Sequence, residues 1–211
     1  MQVPLPYFVI AVGMLVGFIT SFKKDNPTYL QIFPFFLMLT LATELLGWQM
    51  GLSNLNNSAV YNYSSLVAFI FYMYVLRYVV VNPTARKIIL FVIIFYAIGT
   101  LIYIIFILEP VAFHTLTYII GCSLIVVLSI YYFYELFQAP RAINLTREPA
   151  FWIVIGLLFF YSSTLPVLGI VNYYPEVYVS GEPILMILNI LLYSLFIIAF
   201  LCRIRYRKSI S

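Results

Sequence analysis

Seven apolar runs alternate with short polar connections along the chain: Pro4–Phe22, Tyr29–Met50, Ala59–Val81, Ile88–Leu108, His114–Phe137, Pro149–Val171 and Pro183–Cys202. Each is close to the roughly 20 residues a helix needs to cross a hydrocarbon core of about 30 Å. The connections are too short to hold an extramembrane domain. The pattern therefore predicts an all-α membrane protein, a single seven-helix bundle over residues 1–211.

Basic charge follows a slower rhythm. Lys23 and Lys24 follow the first run; Arg77, Arg86 and Lys87 bracket the junction of the third and fourth; Arg141 and Arg147 lie between the fifth and sixth; Arg203, Arg205, Arg207 and Lys208 follow the seventh. The connections Gly51–Ser58, Glu109–Phe113 and Asn172–Glu182 contain no basic residue. Lys and Arg in short loops are retained in the cytoplasm, so the N-terminus is expected outside and the C-terminus inside.

Composition agrees: 64% of residues are hydrophobic and 9% charged, with mean hydropathy +1.06, which points to lipid as the solvent. The net charge of +4 does not indicate nucleic acid, because the basic residues are spread over four loops without an aromatic-interleaved patch. The tail after Arg203 could attract anionic lipid. The first run has no basic residue ahead of it, the reverse of a signal peptide, so it is expected to be retained. Cys122 and Cys202 fall at opposite depths and are not expected to pair. Tyr and Phe, 19 of each, gather where helices should exit, as an aromatic belt does.

Gly13-x-x-x-Gly17 lets another helix approach closely, and packing is its simplest use. Runs one to three and five to seven share direction, basic cytoplasmic loops and an Asn in the third helix, Asn62 and Asn189. A three-one-three parallel repeat is compatible with this, although topology alone produces most of the similarity.

Polar residues inside the runs need protein partners, because lipid offers none. Glu44 is the most expensive, at about 2.5–3.5 kcal/mol for an acid at mid-membrane on insertion scales. Thr40, Gly47 and Trp48 share its helix face by i−4, i+3 and i+4 spacing. The sixth run holds Ser162, Ser163 and Thr164 before Pro166, the seventh Asn189 and Tyr193, and the third opens with Tyr61, Asn62, Ser64 and Ser65. All fall in the outer halves of the runs, whereas the inner halves are nearly pure Leu, Ile, Val and Phe. Two readings follow: an outward-facing ligand pocket lined by Glu44, Thr40, Trp48, Asn62, Ser162, Ser163, Asn189 and Tyr193, or an interhelical hydrogen-bond network around a structural acid.

No Lys lies within a run to anchor retinal, the lone His114 has no metal-ligating companions, and no paired acids or nucleophile motif is present. No catalytic constellation, metal site or cofactor is therefore expected.

Several stretches carry a resemblance: Glu44, Tyr61-Asn62, Tyr131-Tyr132-Phe133-Tyr134-Glu135-Leu136, Pro149-Ala150-Phe151-Trp152-Ile153, Phe160 to Ser163, Asn189, and Phe200-Leu201-Cys202. The pattern resembles a family of small seven-helix membrane proteins common in Bacteroidota. That resemblance implies a multi-pass bundle in a bacterial inner membrane and carries no activity with it.

Four functional classes remain open. One is a sensor that binds a small molecule from outside and relays to a separate cytoplasmic or membrane signalling protein. The others are a small-molecule or ion transporter or channel, a lipid enzyme using Glu44 as acid or base, and an accessory subunit of a larger assembly. Beyond the lipid bilayer, the expected partners are that small molecule and that signalling protein.

Overall fold

The computed structural model describes residues 4–22, 26–109, 111–138, 145–173 and 178–208, with side chains described to residue 169 of the sixth helix and over 183–202 of the seventh. Lys23, Lys24 and Arg141 lie outside the described residues, as do the side chains of Arg203, Arg205, Arg207 and Lys208. Among the described residues there are seven α-helices and no strand: α1 Leu5–Ser21, α2 Thr28–Leu52, α3 Ser58–Val79, α4 Pro83–Ile102, α5 Thr115–Gln138, α6 Pro149–Tyr173 and α7 Tyr178–Lys208. Six helical segments are long and apolar enough to cross a membrane, α4 counting together with the turn that follows it. The shorter α1 has 17 residues, about 25 Å at 1.5 Å per residue. This is a multi-pass helical membrane bundle.

Local chemistry sets several helix ends. Asn82 caps α4 by accepting from the backbone N–H of Thr84 and Ala85, with Pro83 opening the helix. Helix α4 therefore starts before the apolar run and takes Arg86 and Lys87 into its first turns. Beyond Leu52, α2 closes with Asn54 at φ 53°, where Leu55 N–H reaches the Met50 carbonyl at 2.9 Å. This left-handed cap satisfies carbonyls the helix end leaves unpaired. Helix α4 loosens into a π turn over Tyr103–Ile107 before the connection to α5.

Six helices close a ring: α1 packs on α2 and α7, α2 on α3, α3 on α5, α5 on α6, and α6 on α7. Helix α4 stands outside this ring against α3, and its Tyr96 hydroxyl donates to the Thr117 carbonyl of α5 at 3.2 Å. Gly13 faces Leu37 and Ile197, and Gly17 faces Pro34 and Phe200, so α1 runs antiparallel to α2 and parallel to α7. The Gly-x-x-x-Gly spacing thus serves close packing, as expected: a Cβ on Gly17 would stand 2.9 Å from the Pro34 ring.

A second parallel seam joins α3 to α5. Asn62 meets the connection just ahead of α5, and the Glu135 carboxylate near its far end accepts from the N–H of Val81 (2.7 Å) and Asn82 (3.1 Å). Arg86 fastens the same corner by donating to the carbonyls of Val80 (2.5 Å) and Tyr78 (3.3 Å).

The interior interleaves aromatic rings with aliphatic side chains. Phe33 packs edge-on to Phe196 at 4.9 Å, and Phe36 stacks on Phe71 at 4.1 Å. Phe33, Leu37, Met73 and Phe196 are fully buried. The inner halves, expected to be nearly pure Leu, Ile, Val and Phe, also hold buried groups of other kinds. Tyr29 and Tyr132 are buried toward the basic end, and Ser129 is sealed there with its hydroxyl unpaired.

Candidate functional site

Glu44 lies in the last third of α2, toward the end of the bundle whose connections lack basic residues. The Tyr7 hydroxyl from α1 and the Tyr61 hydroxyl from α3 lie near its carboxyl. Phenols from two neighbouring helices give the acid polar protein neighbours, which an acid at membrane depth needs. Tyr118 of α5 and Tyr193 of α7 lie close enough to feel its charge. Tyr161 of α6 joins the same group, 6.0 Å from Tyr72 and 5.4 Å from Phe69, ring to ring. Every helix of the ring therefore contributes a tyrosine or the acid itself. Glu44, Tyr7 and Tyr61 are half-buried rather than sealed.

Gly47, one turn along α2, makes the approach of Tyr61 possible. A Cβ there would overlap the Tyr61 hydroxyl and ring. A small residue on the Glu44 face was legible in the sequence; the reason for it was not.

The other expected lining residues divide. Tyr193 reaches the Glu44 environment, and Asn189, one turn nearer the end of α7, is half-buried with its amide donating to the Leu185 carbonyl at 2.9 Å. Thr40 and Trp48 are half-buried on α2, and the Thr40 hydroxyl is turned to the Phe36 carbonyl of its own helix at 2.9 Å. Ser163 is half-buried. Ser162 departs from expectation: it is exposed, with its hydroxyl on the Phe159 carbonyl at 3.2 Å. At about 100° per residue, a helix that turns Tyr161 and Thr164 inward must turn Ser162 away.

Asn62 is also set apart from Glu44, although buried. Its amide donates to the Ala112 carbonyl at 2.9 Å, and its carbonyl oxygen accepts from the His114 N–H at 3.0 Å. His114, in the connection before α5, is fully buried. Its Nε2 stands 2.6 Å from the Ser65 hydroxyl and its Nδ1 2.5 Å from that of Thr117. Burial pushes this imidazole down to about 4. Asn62, Ser65, His114 and Thr117 thus form a clasp that holds the α4–α5 connection onto α3.

Below Glu44, Tyr72, Phe69, Met73 and Phe196 are packed in the interior, each at most 3% exposed. Among the described residues, no three His, Cys, Asp or Glu side chains are grouped closely enough to hold a metal. The arrangement offers one carboxyl, phenol hydroxyls and aromatic faces, which suits binding better than bond-breaking.

Comparison with protein-family models, with curated proteins and with solved structures finds no match in any of the three.

Proposed function

We propose that the chain is a ligand-sensing membrane protein that takes a small molecule at the Glu44 site and relays its presence to a separate protein at the basic end. The observation that carries this reading is the packed aromatic plug beneath Glu44. A site reachable from one end and floored by Tyr72, Phe69 and Phe196 suits recognition and a shift of helix packing better than it suits an open path. On the same footing we place the chain in a bacterial inner membrane, N-terminus outside, within the Bacteroidota family it resembles. The basic loops support that orientation.

The test is a small-molecule screen by thermal unfolding, paired with co-purification from native membranes. The expected result is a ligand that raises the melting temperature of the wild type but not of Glu44→Gln, together with a partner whose capture depends on that ligand. No stabilising ligand and no partner would overturn the reading.

Transport is the second reading, favoured by one observation. The two parallel seams, α1 with α7 and α3 with α5, and the displaced α4 fit a three-one-three repeat. In such a repeat, two three-helix units can rock about a central site. Solute uptake by proteoliposomes holding the purified chain would favour transport over sensing.

A further inference from the structure

The span formed by α4 and its π turn is the least buried of the six, because α4 packs on α3 outside the ring and meets α5 through the Tyr96 hydroxyl. Beside that contact the two helices leave a groove of about 380 Å³ between them. Its walls are Ile88, Phe91, Val92 and Phe95 of α4 with Ile120 and Leu124 of α5, and the Tyr96 hydroxyl at one end is turned to the Thr117 carbonyl. From Ile88 to Phe95 the groove follows α4 for about 10 Å at 1.5 Å per residue. It is an apolar slot at membrane depth, open on one side.

The end of the groove away from Tyr96 meets a charged corner. Lys87 precedes Ile88, and by i+4 spacing it stands on the same stripe of α4 as Phe91. Arg77 and Arg86 join it: the Arg77 Nε donates to the Arg86 carbonyl at 3.1 Å, and Arg86 in turn fastens the carbonyls of Val80 and Tyr78. The carboxylate described at this corner, Glu135, is turned to the N–H groups of Val81 and Asn82. Three cations beside one acid leave the corner electropositive. Lys87 is exposed and stands in the first turns of the span, the level at which lipid headgroups begin.

Apolar walls alone do not hold a lipid, because the surrounding bilayer is equally apolar. An acyl chain seated between two helices gains dispersion contacts on more sides than one lying along a single helix, and an anionic headgroup adds the attraction of the corner. A zwitterionic headgroup carries its own cation and gains less. We infer that the α4–α5 groove is a binding site for one anionic phospholipid, whose acyl chain lies against Phe91, Val92, Phe95 and Leu124 and whose phosphate meets Lys87. The site is separate from Glu44 and stands whether that acid senses, transports or only packs.

The test uses the full chain in detergent micelles, with phosphatidylglycerol as probe and phosphatidylcholine of the same acyl chains as reference. Native mass spectrometry reads the bound lipid, and phosphatidylglycerol with a diazirine in its acyl chain reads its place by cross-linking. The wild type is expected to retain one phosphatidylglycerol about fivefold better than phosphatidylcholine, the effect of roughly one basic residue near a lipid surface. Cross-links should fall within residues 88–95 and 120–124. Lys87→Gln, which leaves the Arg86 contacts in place, should at least halve the preference, and Val92→Trp, which fills the groove, should release both lipids. The cross-links need no variant, so they decide the matter even if Val92→Trp folds poorly. Equal retention of the two lipids overturns the site, as does a preference unchanged in Lys87→Gln. Cross-links centred on the basic tail after Arg203, or spread evenly over the helices, overturn it as well.

Discussion

Tyr61 lies against Gly47, one turn from Glu44, where α2 has no side chain: a Cβ on Gly47 would occupy the place of the Tyr61 hydroxyl. The approach of α3 to α2 at the candidate site thus depends on a missing methyl group one turn from the acid.

Replacing Gly47 by Ala should displace the Tyr61 hydroxyl from the carboxyl. A lost hydrogen bond costs about 0.5–1.5 kcal/mol, and Ala in place of Gly returns up to about 1 kcal/mol of helix propensity, so stability should change little. The carboxyl band of Glu44, identified by its loss in Glu44→Gln, should nonetheless shift in the infrared spectrum. Gly51→Ala, with nothing within 4 Å of its Cβ, should leave that band in place.

Asn62→Ala should loosen the clasp over α5. It removes both the donor to the Ala112 carbonyl and the acceptor for the His114 N–H, and leaves the latter buried. An unpaired buried group costs about 1–3 kcal/mol. Amide hydrogen exchange around residues 112–115 should accelerate well before exchange within α3.

Acid should weaken the same clasp. Burial lowers the His114 imidazole from its ordinary 6.5 to about 4, so the folded chain excludes a proton that the unfolded chain accepts. Stability from this group is fully present above pH 6.5 and is lost as pH falls toward 4, with a slope of at most about 1.4 kcal/mol per pH unit. Unfolding measured between those pH values should show the slope in the wild type and lose it in His114→Gln.

Gly17→Ala should destabilise the bundle where Gly99→Ala does not. The new Cβ would meet the Pro34 ring at 2.9 Å and the Phe200 ring at 3.1 Å, whereas at Gly99 it would find nothing within 4 Å. The ring of Pro34 is fixed by its backbone and cannot swing aside. Overpacking of this kind costs about 1–3 kcal/mol, which thermal unfolding in detergent would register.

The helices, the cost of an acid at position 44 and the packing use of Gly13 and Gly17 were legible along the chain. The facing of individual side chains was less so. Ser162 shares its neighbourhood with Ser163 and Thr164 but turns outward, and Asn62 turns to the α4–α5 connection instead of to Glu44. Tyr61 would pass for a belt anchor, yet it packs onto Gly47 near the acid. In water, a helix shows its buried face by an apolar stripe. In lipid, both faces are apolar, so periodicity cannot say which one packs.

The sequence by itself determined that lipid is the solvent, that the chain is helical throughout its apolar runs, and that basic charge avoids the end carrying Glu44, because length, hydropathy and charge are additive along a chain. Only the tertiary structure decided that α4 leaves the ring, that Tyr61 packs onto Gly47 near Glu44, and that Asn62 and His114 clasp a connection. Those outcomes depend on which helices adjoin and how each is rotated. Small side chains and a few hydrogen bonds set these choices, because the hydrophobic effect does not distinguish lipid from protein.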